Sequence, residues 1–194
     1  MFLQTPPDTS DTLKLYQHDL DERGFVMNLS RAWAWRPDVM KSFSDLRTQL
    51  TSESSLSQRD LAIIVCTTAA TLGDSYGALA WGQTLANKTN PATAAAVLLA
   101  ADVEDLTPRD LALAHWVRKV AKKPNATTRD DIDTLRAAGF SDPEIFEATA
   151  FTAFRVAFAT VNDALGTQPD WQLAESAPTE VRSAVTFGRP VAAH

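Results

Sequence analysis

The segment Leu56–Leu85 (LSQRDLAIIVCTTAATLGDSYGALAWGQTL) constrains the fold of this chain more than any other. An apolar stretch ends at Gly73, and a second one begins after Asp74. Ser57 precedes the first stretch and Asp60 follows three residues later, which is the pattern of a capped helix start. Because Gly is typical just after a helix and Asp just before one, the segment predicts two consecutive helices.

The same start signal recurs later in the chain. It is found at Thr107, Thr128 and Ser141, each with an acidic residue three positions on, and Gly139 is typical of a helix end. Apolar residues recur at helical spacing, and no run alternates with period two over a useful length. We therefore expect an all-α protein.

The sequence around the helix start at Ser57 recurs fifty residues later. Residues 56–62 (LSQRDLA) and 106–112 (LTPRDLA) match closely. The repeat indicates either a duplicated helical unit or two independent uses of one effective cap, and the sequence favours neither. Two copies do not make a repeat protein, which needs three or more.

The length of 194 residues suits one domain with a sizeable core. Residues 1–12 are polar and contain two adjacent prolines, so we expect a loose N-terminal arm. Residues 25–166 form the predicted helical core. Residues 167–194 read as a tail with one short helical pattern near 179–187, packed on the domain or on a neighbouring subunit.

Composition narrows the function classes. The net charge of −6 argues against a nucleic-acid partner, because phosphate binding needs clustered Lys and Arg. Cys66 is the only cysteine, so an intramolecular disulfide is impossible. No signal peptide or membrane-spanning run is evident, so we expect no membrane association and a cytoplasmic location. No metal-ligand spacing or phosphate-binding loop is present, and we predict no metal and no cofactor.

Several segments together resemble one known family. They are Leu56–Leu85, Gly24–Asn28, Arg36–Val39, Leu106–Asp110, Leu135–Ile145 and Phe154–Gly166. In order and spacing they resemble the alkylhydroperoxidase D-like (carboxymuconolactone decarboxylase-like) superfamily, in particular its peroxidase-related branch. The resemblance implies an all-α bundle of about eight to ten helices. It also implies a homo-oligomer, either a dimer, a trimer or a hexamer.

The resemblance also marks a site at the start of the second helix of Leu56–Leu85. The family carries a Cys-x-x-Cys there, with a His seven residues after the first Cys and a Glu twelve before it. The matching positions in this chain are Asp74, Gly77, Trp81 and Ala62. None of these side chains can supply a thiolate, a resolving thiol or the proton relay, so we predict no thiol peroxidase activity. Decarboxylase activity of the family type is doubtful for the same reason.

The residues at this position allow two interpretations. Asp74 is either a simple helix cap or a pocket carboxylate that acts as a base or anchors a cation. Tyr76, Trp81 and Trp116 either line a binding pocket or fill the space that the redox residues would occupy. Cys66 lies in an apolar stretch and is expected to be a buried structural thiol. His115 is expected on a solvated flank.

These alternatives lead to three functional hypotheses. The first is a non-redox homologue that binds a small apolar or organic-acid ligand near Asp74. The second is an enzyme that performs decarboxylase- or isomerase-like acid–base chemistry with Asp74. The third is a structural or interaction protein whose pocket is filled by Trp81. An open cavity would favour the first two, and a closed site would favour the third.

Overall fold

The computed structural model describes residues 1–194 and contains eleven α-helices and no strand. The helices are α1 (Ser10–Arg23), α2 (Asn28–Trp33), α3 (Pro37–Ser52), α4 (Gln58–Leu72), α5 (Ser75–Lys88), α6 (Pro91–Leu99), α7 (Pro108–Lys122), α8 (Arg129–Ala137), α9 (Asp142–Ala164), α10 (Trp171–Ser176) and α11 (Thr179–Ala184). A short 3-10 turn spans Pro124–Ala126. Eight helices have nine or more residues, and α2, α10 and α11 have six residues each. The predicted all-α class is confirmed.

Helix α4 lies at the centre of the bundle. All its residues from Asp60 to Ala69 are buried, and it packs against α5, α6, α7 and α9. The four predicted capping boxes, at the starts of α4, α7, α8 and α9, are all formed. Gly73 and Gly139 both adopt positive φ, at 77° and 90°, as the helix-stop prediction requires.

The two matching segments of the sequence lie side by side. Arg59 of α4 donates to Asp110 of α7 at 2.7 and 3.1 Å, and Arg109 of α7 lies 3.6 Å from Asp60 of α4. Each helix therefore offers a first-turn arginine to the capping aspartate of the other. The repeated pattern joins the N-terminal ends of two core helices through reciprocal ion pairs.

Both ends of the chain contain more helix than the sequence predicts. Helix α1 begins at Ser10, inside the segment expected to be a loose arm, and Thr12 is buried. Its predominantly polar composition hides the apolar period that marks the other helices. In the tail, α11 falls within the predicted helical pattern, whereas the short α10 was not predicted, and its N-cap residue Asp170 makes no side-chain capping hydrogen bond. Val181 of α11 packs so closely on Gly82 of α5 that a Cβ there would overlap it.

None of the eleven helices has the length and apolar character needed to cross a bilayer.

Candidate functional site

A cavity of about 750 Å³ lies between α1, α2, α3, α5 and α9, at the position where the sequence places the site. Its volume falls in the range of pockets that hold small molecules. Helices α5 and α9 supply its buried wall, and α1 and α3 supply most of the exposed charged residues around it. The apolar part of the lining includes Leu29, Phe43, Ala80, Trp81, Phe154 and Phe158.

Aromatic side chains are concentrated on one side of this cavity. The rings of Phe43 and Phe154 lie 5.6 Å apart, and those of Phe154 and Phe158 lie 6.1 Å apart. Trp33 backs this group, with its ring 5.0 Å from that of Phe43 and its indole N–H donating to Asn162 at 2.7 Å. The aromatic wall is therefore fixed by packing and by a buried hydrogen bond.

Asp74 is a helix cap and also part of the cavity lining. Its Oδ1 accepts the N–H of Gly77 at 2.8 Å, so it is the N-cap of α5. The same side chain lines the cavity and is almost completely buried. Burial raises the pKa of Asp74, while the Gly77 amide and the positive charge of Arg155 oppose that shift. A cap that is also a cavity carboxylate is the observed arrangement.

Gly77 makes this arrangement sterically feasible. A Cβ at this position would overlap Asp74 Oδ2 and lie 3.1 Å from Asp74 Cγ. It would also lie 3.3 Å from the Nη2 atom of Arg155. Positions 74 and 77 are thus sterically coupled, because the Asp74 side chain occupies the space that any side chain at 77 would need.

Tyr76 also lines the cavity, but its hydroxyl group is already used. It donates to Asp170 Oδ2 at 2.5 Å, and the other oxygen of Asp170 accepts the N–H of Asn28 at 2.9 Å. Burial raises the pKa of Tyr76 well above its usual range, and the negative charge of Asp170 adds to the shift. The phenol stays protonated and joins α5 to the segment before α10, so it is a poor proton carrier.

The two candidate tryptophans lie in different places. Trp81 is partly buried and forms part of the cavity wall without filling the space. Trp116 lies elsewhere, between α7 and α9, where its indole N–H donates to Thr149 at 3.0 Å. Ala62 is fully buried in α4 and is not part of the cavity lining. The structure therefore brings together Asp74, Gly77, Tyr76 and Trp81.

Arg155, on α9, is the residue that the sequence reasoning missed. It is only 7% exposed, it lines the cavity, and it makes no hydrogen bond or ion pair with any residue. Its Cζ lies 5.4 Å from the ring centre of Phe158. The available signal was its position in the apolar run FTAFRVAF, where a charged residue shares a helix face with Phe151 and Phe158.

Cys66 and the histidines take no direct part in this site, apart from His18. Cys66 is fully buried and free, and burial raises the pKa of its thiol to about 12, as expected for a structural cysteine. His115 is exposed, as predicted, and His194 stacks on Trp171. His18 is an exposed part of the cavity lining. No three His, Cys, Asp or Glu side chains are grouped so as to hold a metal ion.

No protein-family model and no curated protein sequence matches the chain. Solved structures do resemble it. A peroxidase-related protein with an alkylhydroperoxidase AhpD core from Ralstonia eutropha JMP134 is 24% identical, with 97% of each chain covered and a TM-score of 0.75. A peroxidase-related protein from Silicibacter sp. TM1040 is 19% identical, with 95% of each chain covered and a TM-score of 0.75.

A third structure with this fold holds a small molecule. It is a cysteine-to-alanine variant of the debrominase Bmp8 in complex with 2,3,4-tribromopyrrole. It is 16% identical to this chain, covers 94% of it and 95% of its own length, and gives a TM-score of 0.70. The chain therefore has the alkylhydroperoxidase D-like fold that its sequence resemblance predicts.

Proposed function

We propose that this chain is a non-redox homologue in the alkylhydroperoxidase D-like fold that binds a small, partly apolar molecule beside the start of α5. The observation that carries the proposal is the 750 Å³ cavity, which includes Asp74, Tyr76 and Trp81 in its lining and is not filled by Trp81. Its lining combines an aromatic and aliphatic wall with polar and charged side chains that can orient a ligand.

The chemistry of the site supports the non-redox part of the proposal. Dithiol peroxidases need an accessible thiolate and a second thiol, and this chain has one cysteine. That cysteine is fully buried in α4, and its raised pKa keeps it as an unreactive thiol at neutral pH. Asp74 and Gly77, at the positions of the family's two cysteines, offer no sulfur.

The hydrogen bonds of Asp74 and Tyr76 argue against the enzymatic alternative, and the open cavity argues against the structural one. The raised pKa of Asp74 would suit acid–base chemistry, but one of its oxygens is held by the Gly77 amide and the neighbouring Tyr76 hydroxyl is held by Asp170. A purely structural role would be favoured by a filled site. The complex of Bmp8 with 2,3,4-tribromopyrrole indicates the scale of ligand that a protein of this fold accepts.

The proposal is tested with a neutral probe, 2-naphthamide, by ligand-observed NMR. At about −0.3 kcal/mol per heavy atom, a ligand of this size should bind with Kd of about 1 mM or tighter. Ala80→Phe places a ring in the cavity and should weaken binding at least about tenfold. Gln83→Phe, on the exposed side of the same helix, is the matched control and should leave binding unchanged. Equal effects of the two variants would contradict the proposal.

A further inference from the structure

Arg155 is a buried cation without a partner. Buried charges in proteins are normally paired or hydrogen-bonded, because removing an ion from water costs several kcal/mol in order of magnitude. Arg155 is 7% exposed and has neither kind of partner within the chain. Burial lowers the pKa of Arg155, because removal from water disfavours the charged form of the guanidinium. Its Nη2 atom approaches Gly77, and both residues line the cavity.

Asp74 makes no ion pair with this guanidinium. It is the acidic group whose charge acts most strongly on Arg155, yet the two side chains form no ion pair. The Oδ1 atom of Asp74 accepts the N–H of Gly77, and burial raises the pKa of Asp74. The guanidinium of Arg155 lines the cavity, and none of its N–H donors is used by another residue of the chain.

A second cation faces the same space. Arg47 of α3 lines the cavity, is exposed and makes no ion pair, and its positive charge further lowers the pKa of Arg155. By contrast, Lys14 and Lys41 in the same lining are paired with aspartates, at 3.1 and 2.6 Å. Two guanidinium groups without ion pairs therefore line one cavity together with an aromatic wall, an arrangement suited to an organic anion.

We infer that the ligand of this cavity is a compact organic monoanion, an aromatic or alicyclic carboxylate, whose carboxylate binds Arg155 while its ring lies against Phe43, Phe154 and Phe158. The inference rests on the proposed binding function and adds the chemical class of the ligand and the residue that recognises it. A planar carboxylate matches the fork of a guanidinium. A phosphate dianion fits less well, because Arg155 is the one cation on the buried wall and the second negative charge would lie unpaired against the aromatic side chains.

The test compares 2-naphthoate with 2-naphthamide, which share one ring system and differ in charge. Wild-type protein should bind 2-naphthoate at least about tenfold tighter, since a hydrogen-bonded charge adds about 1.5 kcal/mol or more. Phenyl phosphate and inorganic phosphate should bind more weakly than 2-naphthoate. The wild-type comparison needs no variant, so it stays decisive whatever the variants do.

Two arginine variants show which side chain causes the preference for 2-naphthoate over 2-naphthamide. Arg155→Met should reduce 2-naphthoate affinity to that of 2-naphthamide and leave 2-naphthamide binding unchanged. Arg118→Met is the control, because Arg118 is half-buried and unpaired but lies outside the cavity. Without ligand, Arg155→Met should also raise Tm, since it removes an unpaired buried charge. A lowered Tm would assign Arg155 a structural role and contradict the inference.

The outcomes separate this inference from the proposed function. Equal wild-type affinity for 2-naphthoate and 2-naphthamide would overturn the anion inference and leave small-molecule binding standing. Tighter binding of phenyl phosphate than of 2-naphthoate would overturn the carboxylate class. Absence of binding by every probe would overturn both proposals together.

Discussion

Replacing Gly77 by Ala tests how the site is built. An added Cβ would overlap Asp74 Oδ2 and press on Arg155 Nη2 at 3.3 Å, so the Asp74 carboxylate has to leave the helix end. Loss of the cap costs about 1 kcal/mol, and a displaced buried carboxylate costs about 1–3 kcal/mol more. The higher helix propensity of Ala returns about 1 kcal/mol. We therefore expect Gly77→Ala to destabilise the protein by about 1–3 kcal/mol, although Gly→Ala within a helix ordinarily stabilises it.

A double-mutant cycle with Asp74→Ala isolates the cause. Without the carboxylate the new Cβ meets only Arg155 Nη2, at 3.3 Å, which a small shift of that long side chain relieves. Gly77→Ala in that background should therefore be neutral or stabilising by up to about 1 kcal/mol. The expected coupling between the two sites is about 2 kcal/mol, well above the roughly 0.5 kcal/mol within which independent mutations add. Urea unfolding of the four proteins, followed by circular dichroism at constant pH, measures it.

The control for the cycle is a second Gly→Ala substitution, at Gly82, where the added Cβ would overlap a different residue. Gly82→Ala meets Val181 rather than Asp74, so it should destabilise the protein without coupling to Asp74→Ala. The reasoning is refuted if Gly77→Ala stabilises the otherwise wild-type chain. It is also refuted if its effect is the same with and without Asp74.

Three further predictions concern charge and sulfur. Burial raises the pKa of Asp163 to about 7, with the charge of Asp74 adding to the shift, so the folded chain binds this proton more tightly than the unfolded chain does. Stability from this group should therefore fall as pH rises from about 4 through 7, and Asp163→Asn should flatten that part of the stability–pH curve, as measured by Tm between pH 5 and 8. Native Cys66 should react with a chromogenic disulfide reagent only after denaturation, and peroxide consumption with a dithiol donor should be no higher than that of Cys66→Ser; turnover lost in that variant would contradict the non-redox assignment. Arg109 donates to Glu144 at 2.6 Å and to the Gly139 carbonyl at 2.8 Å, so Arg109→Lys, which cannot keep both bonds, should destabilise the protein by about 1–2 kcal/mol; an unchanged urea midpoint would contradict this.

The helix starts could be predicted because their hydrogen bonds join residues three apart. Ser57 with Asp60 and Ser141 with Glu144 form the capping boxes that their spacing indicates. The stops at Gly73 and Gly139 are equally local, since each depends on the φ angle of one residue. Helix α1 was missed because its sequence lacks the apolar stripe on which such predictions rely.

The site was only partly predictable because its decisive contacts join distant segments. Asp74 as a cap is local, but its contact with the cavity depends on where α9 packs. Tyr76 meets Asp170 across 94 residues of sequence, and no local pattern indicates that pair. Arg155 is visible in the sequence only as a charge in an apolar run, which by itself does not distinguish a surface residue from a buried one.

The sequence by itself determined the helical class, the positions of the main helix ends and the presence of a single cysteine, because each follows from residue identity and short spacing. Tertiary structure alone decided that Trp81 lies on the wall of an open cavity and that Arg155 faces it without a partner. The physical reason is that the cavity is the space left between five helices. Its volume and the pairing of its charges depend on how those helices pack, and residues far apart in the chain decide both.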